Sequence, residues 1–332
     1  MQRILQHVKP ERRNKEFEHN PVYPLFWKRS FHIETIEQLV TFAVPLVRPI
    51  LKLSGLYQRG LQNTLALQKT ELTFVDPALP NAFDGLKLLF LSDLHIDGND
   101  RLLEPLCAAL DPVAADVCLL GGDYRFRIHG QFRTVIDRFQ EMVRHIHSTY
   151  GIFGILGNHD SWEMIKPLER LGIVMLINES AQITLGTDRI WILGLDDPHY
   201  YECDDYPKAN QGVPEDAFRI LLVHTTGSLP KLAFQPINLY LCGHTHAGQI
   251  SFPVIGPPIT HSRLKGEYVY GRWQFQQIQG YTTSGAGTSG VPVRYNTRSE
   301  IVVITLRSLN ESCPKRGKNT KDSKNTKKKD IF

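Results

Sequence analysis

KLLFLSDLH, residues 87–95, is an apolar run that stops abruptly in ligand-type side chains. A short run without polar alternation reads as a strand buried on both faces. The same rhythm recurs downstream. DVCLLGGD (116–123) ends in Asp123, and GIFGILGNHD (151–160) ends in Asn158, His159 and Asp160. RIWILGLDD (189–197) ends in two aspartates, FRILLVH (218–224) in His224, and INLYLCGHTH (237–246) in His244 and His246. Between these runs lie helical patterns. Phe132, Val135, Ile136, Phe139, Met142, Val143 and Ile146 recur at steps of three and four, as an amphipathic helix requires. Ile165, Leu168 and Leu171 suggest a shorter helix. Strands alternating with helices predict an α/β layered domain, in which ligands gather at the carboxyl ends of the strands.

Every chemistry-bearing residue falls at such an end. Asp93 and His95 are two apart on a strand end, where alternation would aim both side chains to one side; His244 and His246 share that spacing. Asp123, Asn158 and His224 add one donor each. The set mixes carboxylate, amide and imidazole and contains no thiolate, so it does not suit a tetrahedral structural zinc site. Mixed nitrogen and oxygen donors suit manganese, iron or zinc. Seven donors can hold two metals if one carboxylate bridges, and two metals can clamp the attacking and leaving oxygens of an in-line displacement. Any one of these histidines alone would be an ordinary polar strand end. The weight lies in DxH, GGD, GNHD, VH and GHTH occurring in that order, each closing an apolar run.

Those blocks resemble the signatures of the calcineurin-like metallophosphoesterases, and the likeness covers about residues 70–306. It implies a layered α/β sandwich, two mixed β-sheets flanked by helices, with the metal site at the carboxyl ends of the strands. It implies a phosphodiesterase or pyrophosphatase that attacks with a metal-bridging hydroxide. By the same resemblance Asp93, His95, Asp123 and His246 hold one divalent ion, and Asn158, His224 and His244 a second, with Asp123 bridging. Manganese is expected, with iron or zinc as alternatives. His159 would be the general acid, its alternative role being substrate positioning, and Asp160 would hydrogen-bond its imidazole. LGLDDP (193–198) and SGAGTSGVPVRYNTRSE (284–300) resemble a bacterial branch of phosphodiesterases often associated with membranes. Gly248 fits close backbone packing at the site rim. Asp197 either supports the site or caps a loop. The chain departs from GDxxD: GDYRFR places Phe126 where relatives carry an acid, between Arg125 and Arg127. Those arginines and Arg294 are candidate substrate contacts, their alternatives being solvent exposure and a structural ion pair. A lipid-linked or nucleotide-sugar substrate such as UDP-2,3-diacylglucosamine is the expectation. A catalytically idle scaffold with the same fold is the alternative, although such scaffolds typically lose site histidines.

Composition bounds the rest. The 332 residues carry a formal charge of +4. Residues 310–332 hold eight basic and three acidic side chains, so this tail contributes +5 and the remainder sums to −1. The body is therefore no basic nucleic-acid binder, and the tail is expected to be a disordered basic segment that could meet anionic headgroups. Five cysteines without a CxxC pair argue against a disulfide framework and weakly favour a reducing, cytoplasmic setting. The first 20 residues lack the apolar core of a cleavable signal. Residues 1–68 read as a helical extension before a domain over 69–308. Within it, the apolar stretch 36–57 is interrupted by Pro45, Arg48, Pro49 and Lys52. It reads as a peripheral membrane or partner helix at the inner face of the membrane, or one packed on the protein's own core, and not as a span.

Overall fold

The apolar runs become strands, and each strand feeds two different cores. The computed structural model describes residues 46–309 apart from Arg263 and Lys265. In chain order the elements are α1 (Leu56–Leu65), β1 (Gln68–Val75), β2 (Lys87–Leu91), α2 (Leu103–Leu110), β3 (Ala114–Ala115), β4 (Val117–Leu120), α3 (Arg133–Arg144), β5 (His147–Ser148), β6 (Ile152–Gly154) and α4 (Ile165–Glu169). They continue as β7 (Ile173–Met175), β8 (Glu179–Leu185), β9 (Asp188–Gly194), α5 (Tyr206–Ala209), β10 (Phe218–Leu222), α6 (Leu229–Leu232), β11 (Leu239–Cys242), β12 (Gly271–Phe275), β13 (Ile278–Thr282) and β14 (Glu300–Arg307).

Two six-stranded sheets result. The first runs β1-β14-β2-β4-β6-β7 and the second β12-β13-β11-β10-β9-β8. Both are mixed. β14 is antiparallel to β2 but parallel to β1, and antiparallel pairs close both edges of the second sheet. Side chains alternate across a strand, so Leu88 and Phe90 enter the core between the sheets while Leu89 and Leu91 enter the core beneath α2 and α3. In β10, Ile220 and Leu222 likewise face the first sheet, and Leu221 faces the core beneath α5 and α6. Burial on both faces is why neither strand shows polar alternation. The order of layers is helix, sheet, sheet, helix, as the resemblance implied.

The chain before β1 is not a loose appendage throughout. Gly60, Leu61 and Thr64 of α1 are buried. Asn63 Nδ2 donates to the carbonyl of Arg294 at 2.9 Å, and the Arg294 N–H donates to the Gly60 carbonyl at 3.0 Å. A Cβ on Gly60 would press on Val293 and Tyr295. Of the apolar stretch 36–57, only residues from Leu46 onward are described; the basic tail and Cys313 lie outside the described residues. Among the described residues no helix is long and apolar enough to cross a membrane. Cys107, Cys118, Cys203 and Cys242 are buried thiols outside any disulfide among the described residues.

Candidate active site

The donors sit just beyond the carboxyl ends of β2, β4 and β6 of one sheet and, past Val223 and Gly243, of β10 and β11 of the other. The expected strand-end alternation is not what aligns them. β2 stops at Leu91, and Asp93 and His95 follow with φ of 52° and 37°. Asp123, His244 and His246 share this left-handed region at 55°, 71° and 51°. Five of seven donors thus occupy backbone that L-residues avoid, at about 1–3 kcal/mol each. The surroundings hold them there. The N–H groups of Asp93 and His95 donate to the carbonyls of Gly122 and Asp123, each at 3.0 Å. The His244 N–H donates to both carboxylate oxygens of Asp93, at 3.0 and 2.9 Å. Glycine is needed where these turns touch: a Cβ on Gly243 would overlap Asp93 Oδ2, and one on Gly157 would overlap Asp123 Oδ1.

Asp123 lies at the junction. Its Oδ2 is 3.3 Å from His224 Nε2, 3.6 Å from His95 Nε2 and 3.9 Å from His159 Nε2. Its Oδ1 accepts the His159 N–H at 2.8 Å. Three groups of donor atoms lie within 4.8 Å of one another: Asp93, His95 and His246; His95, Asp123 and His159; and Asp123, His224 and His244. The rings are oriented from behind. His95 and His224 each donate Nδ1–H to a carbonyl, of Arg125 at 2.9 Å and Gly121 at 2.8 Å, which points Nε2 of each ring into the pocket. His244 does the reverse, donating Nε2–H to the His261 carbonyl at 3.0 Å and keeping Nδ1 as its lone-pair nitrogen. His95 Nε2 and His246 Nε2 face each other at 3.2 Å. Asn158 Oδ1 is buried without a hydrogen-bond partner. An orphaned amide oxygen, inward lone pairs and two buried carboxylates fit divalent cations, and the donor chemistry admits manganese, iron or zinc.

Electrostatics point the same way. Burial, reinforced by the charge of His159, pushes His95 down to about 3. Burial, reinforced by neighbouring rings, lowers His244 and His246 well below the usual imidazole range. Burial works against a proton on His224, but the Asp123 and Asp93 carboxylates overcome it and raise His224 to about 10. Burial and the Asp123 charge raise Asp93 to about 6. Burial also opposes the charge on Asp123, yet His224 and His159 hold it well below the ordinary carboxylate range. The pocket thus stores one proton between carboxylates where a cation can replace it.

Three expected roles need correction. Asp160 does not act as the imidazole's anchor: it accepts the N–H groups of Asp123, Tyr124, Gly157 and Arg125 and so braces the loops carrying the donors. His159 instead donates Nδ1–H to the Phe126 carbonyl at 2.7 Å, which turns Nε2 toward Asp123. Arg294 is fully buried and donates to the carbonyls of His246, Ser284 and Gly287, with Nη2 3.4 Å from His246 Nδ1. It braces a turn from a fully buried position. Arg125 is likewise buried, donating to the carbonyls of His159, Ile128 and Gly130. Arg127, on the same loop, is exposed. Asp197 caps the loop after β9 by accepting the N–H groups of Tyr200 and Tyr201 at 2.6 and 2.8 Å. Gly248, at φ 73°, is pressed by Pro257 as its rim position requires. His199 and His261 escaped the sequence reading. Their rings lie 4.6 and 6.1 Å from that of His244. The only signal was a histidine directly after LDDP; His261 carried none.

Comparison with known proteins adds an independent line. The family model described as calcineurin-like phosphoesterase matches residues 86–248. The chain is 30% identical over 264 residues to the metallophosphoesterase YkuE of Bacillus subtilis, covering 76% of this chain and 90% of that one. It is 30% identical over 246 residues to the phosphodiesterase YaeI of Escherichia coli, covering 70% and 84%. A transmembrane protein with metallophosphoesterase domain from Danio rerio is 28% identical over 249 residues, covering 69% and 55%. The matched span begins just before β2 and ends just past His246, so it encloses the donors gathered around Asp123. By that span, and by the two near-full-length relatives, this chain belongs to the calcineurin-like metallophosphoesterases, metal-dependent hydrolases of phosphoric esters.

Proposed function

We propose that the site holds two divalent ions, manganese first among them, and hydrolyses a phosphodiester or pyrophosphate. Asp93, His95, Asp123 and His246 hold one ion; Asp123, Asn158, His224 and His244 hold the other. The observation that carries this reading is the position of Asp123 Oδ2, between imidazoles of both donor groups at 3.3 and 3.6 Å. When bound, the ions supply activation of a water molecule and neutralisation of charge at phosphorus. The chain supplies the rest. His159 is 13% exposed at its side chain, more open than His95, His224 and His246, and its Nδ1–H is fixed on Phe126. Its Nε2–H is therefore placed to give a proton to the oxygen leaving phosphorus, so that the product departs as an alcohol or phosphate and the ring is left neutral. Asp160 keeps the Asp123 and Gly157 loops in register for that transfer. Arg127 is the one of three candidate arginines left to meet a second phosphate.

The diester preference is supported by the kinship to YaeI. A lipid-linked or nucleotide-sugar pyrophosphate such as UDP-2,3-diacylglucosamine is the substrate class we favour. Retention of all seven donors argues against an idle scaffold. A panel of an aryl phosphodiester, an aryl phosphomonoester and UDP-2,3-diacylglucosamine with added Mn²⁺ tests the reading. Turnover of diester or pyrophosphate over monoester is expected. Equal monoester turnover would contradict the preference, and activity surviving in both His95→Ala and Asp123→Ala would contradict the metal chemistry.

A further inference from the structure

A loop leaves the site immediately after His246 and returns to it at His261. At its near end Gly248 is wedged against Pro257; at its far end the His261 carbonyl accepts from His244. Between these anchors the chain projects an apolar tip. Phe252 N–H and Gly256 N–H each bond the other residue's carbonyl, at 3.0 and 2.9 Å, and this pins the tip into a tight turn. Val254 is completely exposed at φ 71°, Ile255 is 83% exposed and Phe252 about half. A β-branched residue in left-handed backbone is strained, and burial of its side chain within the protein does not explain the conformation.

A second apolar surface is linked to the loop through Tyr295. Residues 46–53 are helical, and Leu46, Ile50 and Leu53 recur at steps of four and three, all exposed, Leu53 at 90%. Tyr295 joins the two. Its backbone bridges Gln249 and Ser251 at the root of the loop, and its hydroxyl donates to the Leu56 carbonyl at the start of α1. The charges are of one sign. Residues 46–66 contain no acid and three bases, Arg48, Lys52 and Arg59, all exposed; residues 249–262 contain no Asp, Glu, Lys or Arg. Arg48 and Lys52 lie 5.7 and 5.5 Å from the ring centre of Tyr57, bases and aromatic ring side by side. Apolar side chains projecting beside bases, with an aromatic ring at the boundary, match the interface of an anionic bilayer. A protein partner would be expected to call for shape and paired polar groups, and a lone convex tip offers neither.

We propose that the 250–262 loop tip and the 46–53 helix form one docking surface for an anionic lipid bilayer, with the loop inserting Val254 and Ile255. Docking stands on the surface alone. The corollary, that a lipid-linked phosphate reaches the site from the bilayer, rests on the phosphoesterase reading. Both ends of the inserting loop touch the site.

The test uses the full chain and vesicles of phosphatidylcholine with and without phosphatidylglycerol. Binding to the anionic vesicles is expected, weakening as salt rises, and falling about tenfold or more in V254D/I255D and in I50D/L53D. A Phe252→Trp chain is expected to gain a fluorescence component quenched by brominated acyl chains, which adsorption through the basic tail would not produce. Turnover of a soluble aryl phosphodiester is expected to be unchanged in V254D/I255D. Failure of that turnover in wild-type protein would strike the phosphoesterase reading and leave docking intact. Undiminished vesicle binding by both double variants, no binding by the wild type, or fluorescence of the Phe252→Trp chain untouched by brominated lipid would overturn the proposal.

Discussion

The two sheets contribute unlike chemistry to one site. The first delivers both carboxylates of the donor set, the amide of Asn158, and His95 and His159, from loops after β2, β4 and β6. The second delivers imidazoles alone, His224 after β10 and His244 and His246 after β11. The proposed pair of ions draws on both, the carboxylates of the first half balancing charge and the imidazoles of the second completing the coordination. The site therefore exists only while the sheets stay in register across their shared core of Phe90, Phe153, Ile220 and Leu222. Asp123 serves both sides: Oδ1 is tied to the backbone of its own sheet and Oδ2 faces the rings of both.

The largest break in this comparison should come from Asp123→Ala. Removing the shared carboxylate is expected to lower phosphodiester kcat/KM by about 10⁴-fold or more; a loss under tenfold would mean that the halves do not meet there. Next stands His159→Ala, which belongs to the first sheet but to neither proposed ion. It should cost about 10²–10⁴-fold in kcat for a poor leaving group, far less for a p-nitrophenolate, and leave metal content unchanged. An equal loss for both leaving groups would assign His159 to positioning. Asp160→Asn disturbs only the bracing of the first sheet's loops, since it replaces an acceptor of backbone N–H groups. A fall of about 10–100-fold in metal affinity, read by a competing chelator, is expected.

A pH series sharpens the comparison from the second sheet. His224, raised to about 10 by the carboxylates, keeps its proton below that pH in the cation-free pocket. Cation binding must expel it. Apparent affinity should therefore climb by up to about tenfold per pH unit from about 6 toward 10. Below about 6, where Asp93 also takes a proton, the fall should steepen. Proton release on titration in buffers of different ionisation enthalpy measures this; affinity flat between pH 6 and 9 would contradict it. The smallest effect is predicted for Arg127→Ala, a KM increase of a few-fold for a pyrophosphate and none for a simple diester.

Strand positions and the residues that gather around Asp123 were legible in the sequence because each apolar run, buried on both faces, announced its own end. The mixed sheets and their pairing entered through family resemblance, since periodicity does not say which strands neighbour each other. What stayed hidden was the backbone. Nothing in SDLH or GHTH says that alternate donors sit in left-handed turns, because that conformation depends on hydrogen bonds with segments distant in the chain. The arginines misled for a related reason. A guanidinium beside a site reads as a substrate contact, yet Arg125 and Arg294 satisfy carbonyls that the same strained loops leave unpaired. His261 was invisible because its place at His244 is set by the return path of a loop, which local pattern does not encode.

The most direct test is the metal stoichiometry of the reconstituted chain, read by elemental analysis after Mn²⁺ loading and gel filtration. Two ions per chain in the wild type, one in His224→Ala and in His95→Ala, and fewer than one in Asp123→Ala are the predicted values. Two ions retained in Asp123→Ala, or a single ion in the wild type at saturating Mn²⁺, would contradict a centre shared between the sheets.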